Sequence, residues 1–259
     1  MPLQILDLPP YAWALLVFAA LLIGISKTAL PGVNTLSIAI FAAFLPPKES
    51  TAALLLMLIV GDVFALISYR RHADWKTLIR LIPAVAVGLV AGALFLAFAN
   101  DSWVRRAIGV ILLLLVAFNA WQRLCKARMG FEPAGTASST QSGGALARSG
   151  YGSLGGFTTM VANAGGPPMS LYFLSVGFPV KAFLGTAAWF FAVINLVKVP
   201  IMAGLGLFVP EVLSLALLMV PGVVAGALIG RWIASRIQQR AFEYAILLFT
   251  ALGALYLLF

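Results

Sequence analysis

Charge is what this sequence has least of. Only 10% of its 259 residues are Asp, Glu, Lys or Arg, where a water-facing domain typically carries about 25%. Acidic residues are the scarcer kind, eight against seventeen basic ones, for a formal net charge of +9. A single cysteine, Cys125, excludes an intrachain disulfide. A single histidine, His72, lies far from Cys125 in the chain, so the two form no metal-binding cluster. No Walker A pattern occurs, which argues against an internal ATP motor. One His and one deeply placed carboxylate do not supply the Ser/His/Asp or metal-ligand cluster of an enzyme. The chain is therefore expected not to be an enzyme and to need no cofactor. Residues Met1–Asp7 lack a basic n-region, so no cleaved signal peptide is expected.

What is abundant is apolar surface. Hydrophobic residues make up 62% of the chain, and the mean hydropathy is +1.04. Apolar segments fall at about 11–27, 34–45, 50–69, 77–98, 103–122, 149–163, 168–177, 181–206, 210–231 and 240–259. Several reach the roughly 18 residues or more that a helix needs to cross a bilayer. The fold class is thus an all-α integral membrane protein with one transmembrane domain over 1–259. Basic residues cluster between the apolar segments, as the positive-inside rule expects, which makes lipid the partner and excludes nucleic acid. The stretch 123–148 is polar and rich in small residues, the composition of a flexible linker. Cys125 sits there beside Lys126 and Arg128.

Three segments, 34–45, 149–163 and 168–177, are too short to span as helices. Segment 11–27 runs into Ser26-Lys27-Thr28-Ala29-Leu30-Pro31-Gly32. Breakers at membrane depth are tolerated only where the backbone faces protein or a watery cavity. Each pair, 11–27 with 34–45 and 149–163 with 168–177, is therefore read as a broken or re-entrant element. Three spanning helices follow each pair.

The halves also match each other. At an offset of 133, Ala29, Gly32, Ser37, Pro46 and Lys48 fall on Ala162, Gly165, Ser170, Pro179 and Lys181, and Asp62 falls on Asn195. At an offset of 138, Pro83, Gly88 and Gly92 fall on Pro221, Gly226 and Gly230. Repeat 1 covers about 11–122 and repeat 2 about 149–259. The loop near 69–80 holds Arg70, Arg71, Lys76 and Arg80, while its counterpart near 203–210 holds no basic residue. The loop near 231–240 holds Arg231, Arg236 and Arg240. A loop basic in one half and neutral in the other points to inverted repeats. Arg105 and Arg106 run against that pattern. The expected topology puts 123–148 in the cytoplasm and both termini outside.

In inverted-repeat transporters, substrate binds near the midplane at discontinuous helices. One such break occurs per half. The first offers Ser26, Lys27, Thr28, Pro31, Gly32 and Asn34; the second offers Thr158, Thr159, Asn163, Gly165, Gly166 and Pro167. Helices restarting after the breaks would aim free N–H groups at a cavity, which suits an anion. Lys27 is the leading candidate for a substrate-binding charge, since ionisable groups in the membrane default to function. Lys198 is a second. Lys48 and Lys181 read as interface anchors, and Glu211 and Glu243 as interfacial. Asp62 is the only acidic residue deep within a spanning segment. With Asn195 as its non-titrating counterpart, it is a candidate to carry a coupling proton or to pair with Lys27 or Lys198. Gly88-x-x-x-Gly92, Gly222-x-x-x-Gly226 and Gly226-x-x-x-Gly230 read as helix-packing spacings.

Together, the duplicated halves, Ser26-Lys27-Thr28 with Pro31-Gly32, Asn163-Ala164-Gly165-Gly166-Pro167-Pro168 and Tyr69-Arg70-Arg71…Asp74-Trp75 resemble the sulfite exporter TauE/SafE family. The resemblance covers essentially the whole chain. It implies a bacterial inner-membrane permease for small sulfur-containing anions such as sulfite or organosulfonates, with a proton or sodium as possible coupling ion. A passive anion channel is the alternative. Many members of that family carry a glycine run in the first break, where this chain has Lys27 to Gly32, so the substrate stays open. The oligomeric state is not specified.

Overall fold

The computed structural model describes residues 8–108, 110, 111, 114, 145–238 and 241. Segment 240–259 apart from residue 241, most of the linker with Arg123, Cys125, Lys126 and Arg128, the end of segment 103–122, and Arg240 and Glu243 lie outside the described residues. The described chain is helical: α1 (Pro10–Thr28), a 3₁₀ turn (Pro31–Val33), α2 (Asn34–Phe44), α3 (Pro47–Tyr69), a 3₁₀ turn (Arg70–His72), α4 (Trp75–Phe98), α5 (Ala145–Ala162), α6 (Gly166–Val176), α7 (Val180–Gly204) and α8 (Pro210–Arg236). Residues 101–108 are helical as well. Five helices, α1, α3, α4, α7 and α8, are long and apolar enough to cross a membrane.

Proline sets most of the helix starts. Pro10, Pro31, Pro47 and Pro210 each occupy the first helical position, where a missing N–H costs nothing. The start of α4 is set differently: Asp74 caps it by accepting the Thr77 N–H at 2.7 Å. One segment differs from its expected length. The segment expected over 149–163 is an 18-residue helix that begins at Ala145, inside the supposed linker. At about 1.5 Å per residue it reaches roughly 27 Å, and it is not among the helices long and apolar enough to cross a membrane.

Both breaks are reversals. After Thr28 the chain turns, and α2 runs back along α1: Ser37 Oγ donates to the Ala19 carbonyl at 2.9 Å, and Tyr11 meets Phe44 ring to ring at 6.1 Å. The second break is alike, with the Tyr151 and Tyr172 rings 6.2 Å apart across α5 and α6. The hairpins dock onto the other half, and glycine makes the contact close. A Cβ on Gly226 would strike the Leu21 carbonyl, and one on Gly230 would lie 2.9 Å from Ile25 Cα. This ascending order makes α1 and α8 parallel. Likewise Gly88 faces Ser153 and Phe157, and Gly92 faces Met160, so α4 and α5 are parallel. The small-xxx-small spacings thus act in helix packing. Between them, α3 and α7 cross antiparallel: Gly185 abuts the Tyr69 carbonyl, while Asn195 reaches Asp62.

Candidate functional site

The site forms where the two hairpin tips meet α3 and α7. Its centre is an ion pair. Lys27 leaves the last turn of α1, and its Nζ lies 2.6 Å from Asp62 Oδ1, with both side chains almost fully buried. Its stem passes over Gly61, where a Cβ would come within 2.8 Å of Lys27 Cγ. The glycine therefore permits this approach. The ammonium also faces the Phe191 ring, 4.6 Å from its centroid, an arrangement that stabilises a desolvated cation. From α7, Asn195 Nδ2 donates to Asp62 Oδ2 at 2.6 Å. Asp62 and Asn195, which the 133-residue offset sets against each other in sequence, each lie fifteen residues after the first residue of their helix, and here they touch.

The second break centres on Asn163, which follows α5 with φ of 53°. That left-handed conformation is one an Asn tolerates better than most residues. It lets Asn163 bond three helices at once. Its Nδ2 donates to the Thr51 carbonyl on α3 at 2.8 Å. Its own carbonyl accepts from Asn34 Nδ2 at 3.1 Å, which joins the two breaks. Its Oδ1 accepts from Lys198 on α7, whose Nζ also donates to the Thr159 carbonyl at 2.6 Å. Lys198 is completely buried.

Between these groups lies a cavity of about 30 Å³. Of the residues singled out from sequence, Ser26, Lys27, Pro31, Asn34 and Asp62 line it from the first half. Thr159, Asn163, Gly166 and Asn195 line it from the second. Six others do not line it. Thr28 bonds the Gly24 and Ala227 carbonyls and ties α1 to α8. The Gly32 carbonyl accepts from Thr35 within its own turn. Thr158 bonds back to Leu154. Gly165 packs under the Thr159 side chain. Pro167 opens α6. Lys198 stands behind the wall, holding Asn163 and Thr159 in place.

Sequence reasoning missed Leu58, Ala187, Ala188 and Phe191, which complete the lining. A signal was present. Leu58 precedes Asp62 by four residues, and Phe191 and Ala188 precede Asn195 by four and seven, so each shares a helix face with its polar neighbour.

A set of lipid-length helices enclosing buried lysines and a small polar cavity defines a multi-pass membrane transport protein. More narrowly, the chain matches the sulfite exporter TauE/SafE family over residues 16–257 and belongs to it. No curated protein and no solved structure matches it. The family is one of membrane exporters of sulfite and related anions, which sets the general activity.

Proposed function

We propose that this chain is a secondary transporter of small sulfur-containing oxyanions, sulfite or an organosulfonate, bound in the cavity between the two hairpin tips and moved by alternating access. The observation that carries this reading is electrostatic. Two lysines and one carboxylate are buried about one cavity: Lys27, Lys198 and Asp62. With both lysines protonated the group holds one positive charge in excess. Buried charge is costly unless it is compensated, and a bound monoanion compensates it. Lys27 makes the direct contact, and Lys198 adds field from behind the wall. Asp62 holds Lys27 at the cavity until the anion shares its ammonium. In this reading Asp62 is chiefly a pairing partner, and any proton coupling would run through the moment when the pair loosens.

The packing supports inverted repeats. Equivalent helices α3 and α7 cross antiparallel, and the pair α1 with α8 has its counterpart in α5 with α4. In this reading, the turn near 70–74 and the Arg236 end of α8 face the cytoplasm of a bacterial inner membrane, with 205–209 outside. The cavity size supports a moving mechanism. About 30 Å³ has room for about two waters, so an oxyanion of four or more heavy atoms enters only when the walls part. Rocking one half against the other would open it to each side in turn.

The test is flux in liposomes holding purified protein. Labelled sulfite or sulfonate should accumulate under an imposed proton or sodium gradient. Flux that only equilibrates would mark a passive channel. If every small oxyanion moves no faster than in protein-free liposomes, the proposal falls.

A further inference from the structure

Two buried oxygens at this cavity have nothing to accept from. Asn34 and Asn195 both line it, and among the described residues the Oδ1 of each has no hydrogen-bond partner. Asn34 is 7% exposed and Asn195 1%. Their orientations are fixed by the other branch of each amide. Asn195 Nδ2 faces the Asp62 carboxylate and Asn34 Nδ2 faces the Asn163 carbonyl, both of which only accept from an amide. Flipping either amide would set oxygen against oxygen. The acceptors are therefore built into the site.

A buried acceptor without a donor is destabilising, and a ligand that displaces water from it without supplying a donor loses affinity. The cavity thus presents two kinds of demand. Lys27 asks for negative charge, and the two amide oxygens ask for hydrogen. A metal cation would satisfy the oxygens but would sit beside the Lys27 ammonium, with Asp62 already engaged. We propose that the site selects small anions that carry their own hydrogen-bond donor, a protonated oxyanion such as hydrogen sulfite or a sulfonate bearing a hydroxyl or amino group, over anions made of acceptors alone. This rests on the anion-binding reading above and narrows it.

An isosteric pair of ligands separates the two ideas. 2-Hydroxyethanesulfonate and propane-1-sulfonate differ by a hydroxyl in place of a methyl, with the same charge and nearly the same size. Affinity for each is measured by calorimetry on the purified protein in detergent, with and without sodium. The hydroxyl ligand should bind at least about tenfold more tightly, since a site built to hydrogen-bond a hydroxyl rejects the analogue that lacks it. In Asn34→Leu and Asn195→Leu the ratio of the two affinities should fall toward one, whatever the change in absolute affinity. Equal affinities in the unaltered protein would overturn the donor requirement and leave the anion site standing. Sodium binding on its own, followed by equal affinities, would assign the amide oxygens to a cation and overturn it too. Failure of both sulfonates and of sulfite to bind would remove the anion reading itself.

Discussion

Lys27 and Asp62 hold each other in a place where neither would survive alone. Removing one partner of a buried pair leaves an uncompensated charge, at a cost of about 3–5 kcal/mol. Lys27→Met should therefore lower thermal stability in detergent by that order and abolish flux. Adding Asp62→Asn should restore most of the stability, because no lone charge remains, but flux should stay absent. If the double variant transports normally, Lys27 has no part in binding. Lys27 was legible from sequence because a lysine next to a helix break stands out in an apolar chain. The role of Lys198 was not. Its residue type and depth suggested a binding charge, and only the hydrogen bonds to Asn163 and Thr159 place it behind the wall.

At the scale of the element, the two reversals frame the cavity, and glycine and asparagine set their shape. Asn163→Gly would keep the left-handed backbone but lose the two side-chain hydrogen bonds to Thr51 and Lys198, whereas Asn163→Ala would lose them and add about 1–2 kcal/mol of backbone strain. Comparing the melting temperatures of the two variants should show alanine as the worse. Equal values would mean that the conformation at 163 is not maintained. Gly61→Ala introduces a single methyl against the Lys27 stem. It should weaken substrate affinity about tenfold or more, read as apparent affinity for flux, with only a modest change in stability. Gly226→Val pushes on the Leu21 backbone, which cannot yield as a side chain can, so it should cost about 1–3 kcal/mol in unfolding. The breaks themselves were visible as Gly/Pro clusters. The length of α5 was not, since its first turns are built of small polar residues that read as linker when considered alone.

For the whole molecule, the antiparallel crossing of α3 and α7 has a topological consequence. Helices that run in opposite directions end on opposite sides, and α3 ends before His72 while α7 ends before Gly206. Reporters fused after His72 and after Gly206 should then read on opposite sides, the first cytoplasmic and the second external. The same side for both would overturn the inverted arrangement.

The sequence by itself determined that the chain lies in lipid and where the helices break. Those properties follow from local chemistry: apolar run length, proline and glycine positions, and the rarity of charge. It also set Asp62 and Asn195 at the same 133-residue offset as the paired prolines and lysines. What it could not decide is which groups meet. The Lys27–Asp62 pair and the bond between Asn34 and Asn163 each join segments far apart in the chain, and the two unpartnered amide oxygens come to one cavity from opposite halves of it. Such contacts depend on helix rotation and depth, and these are set only when glycine faces, hairpin tips and buried charges are packed together.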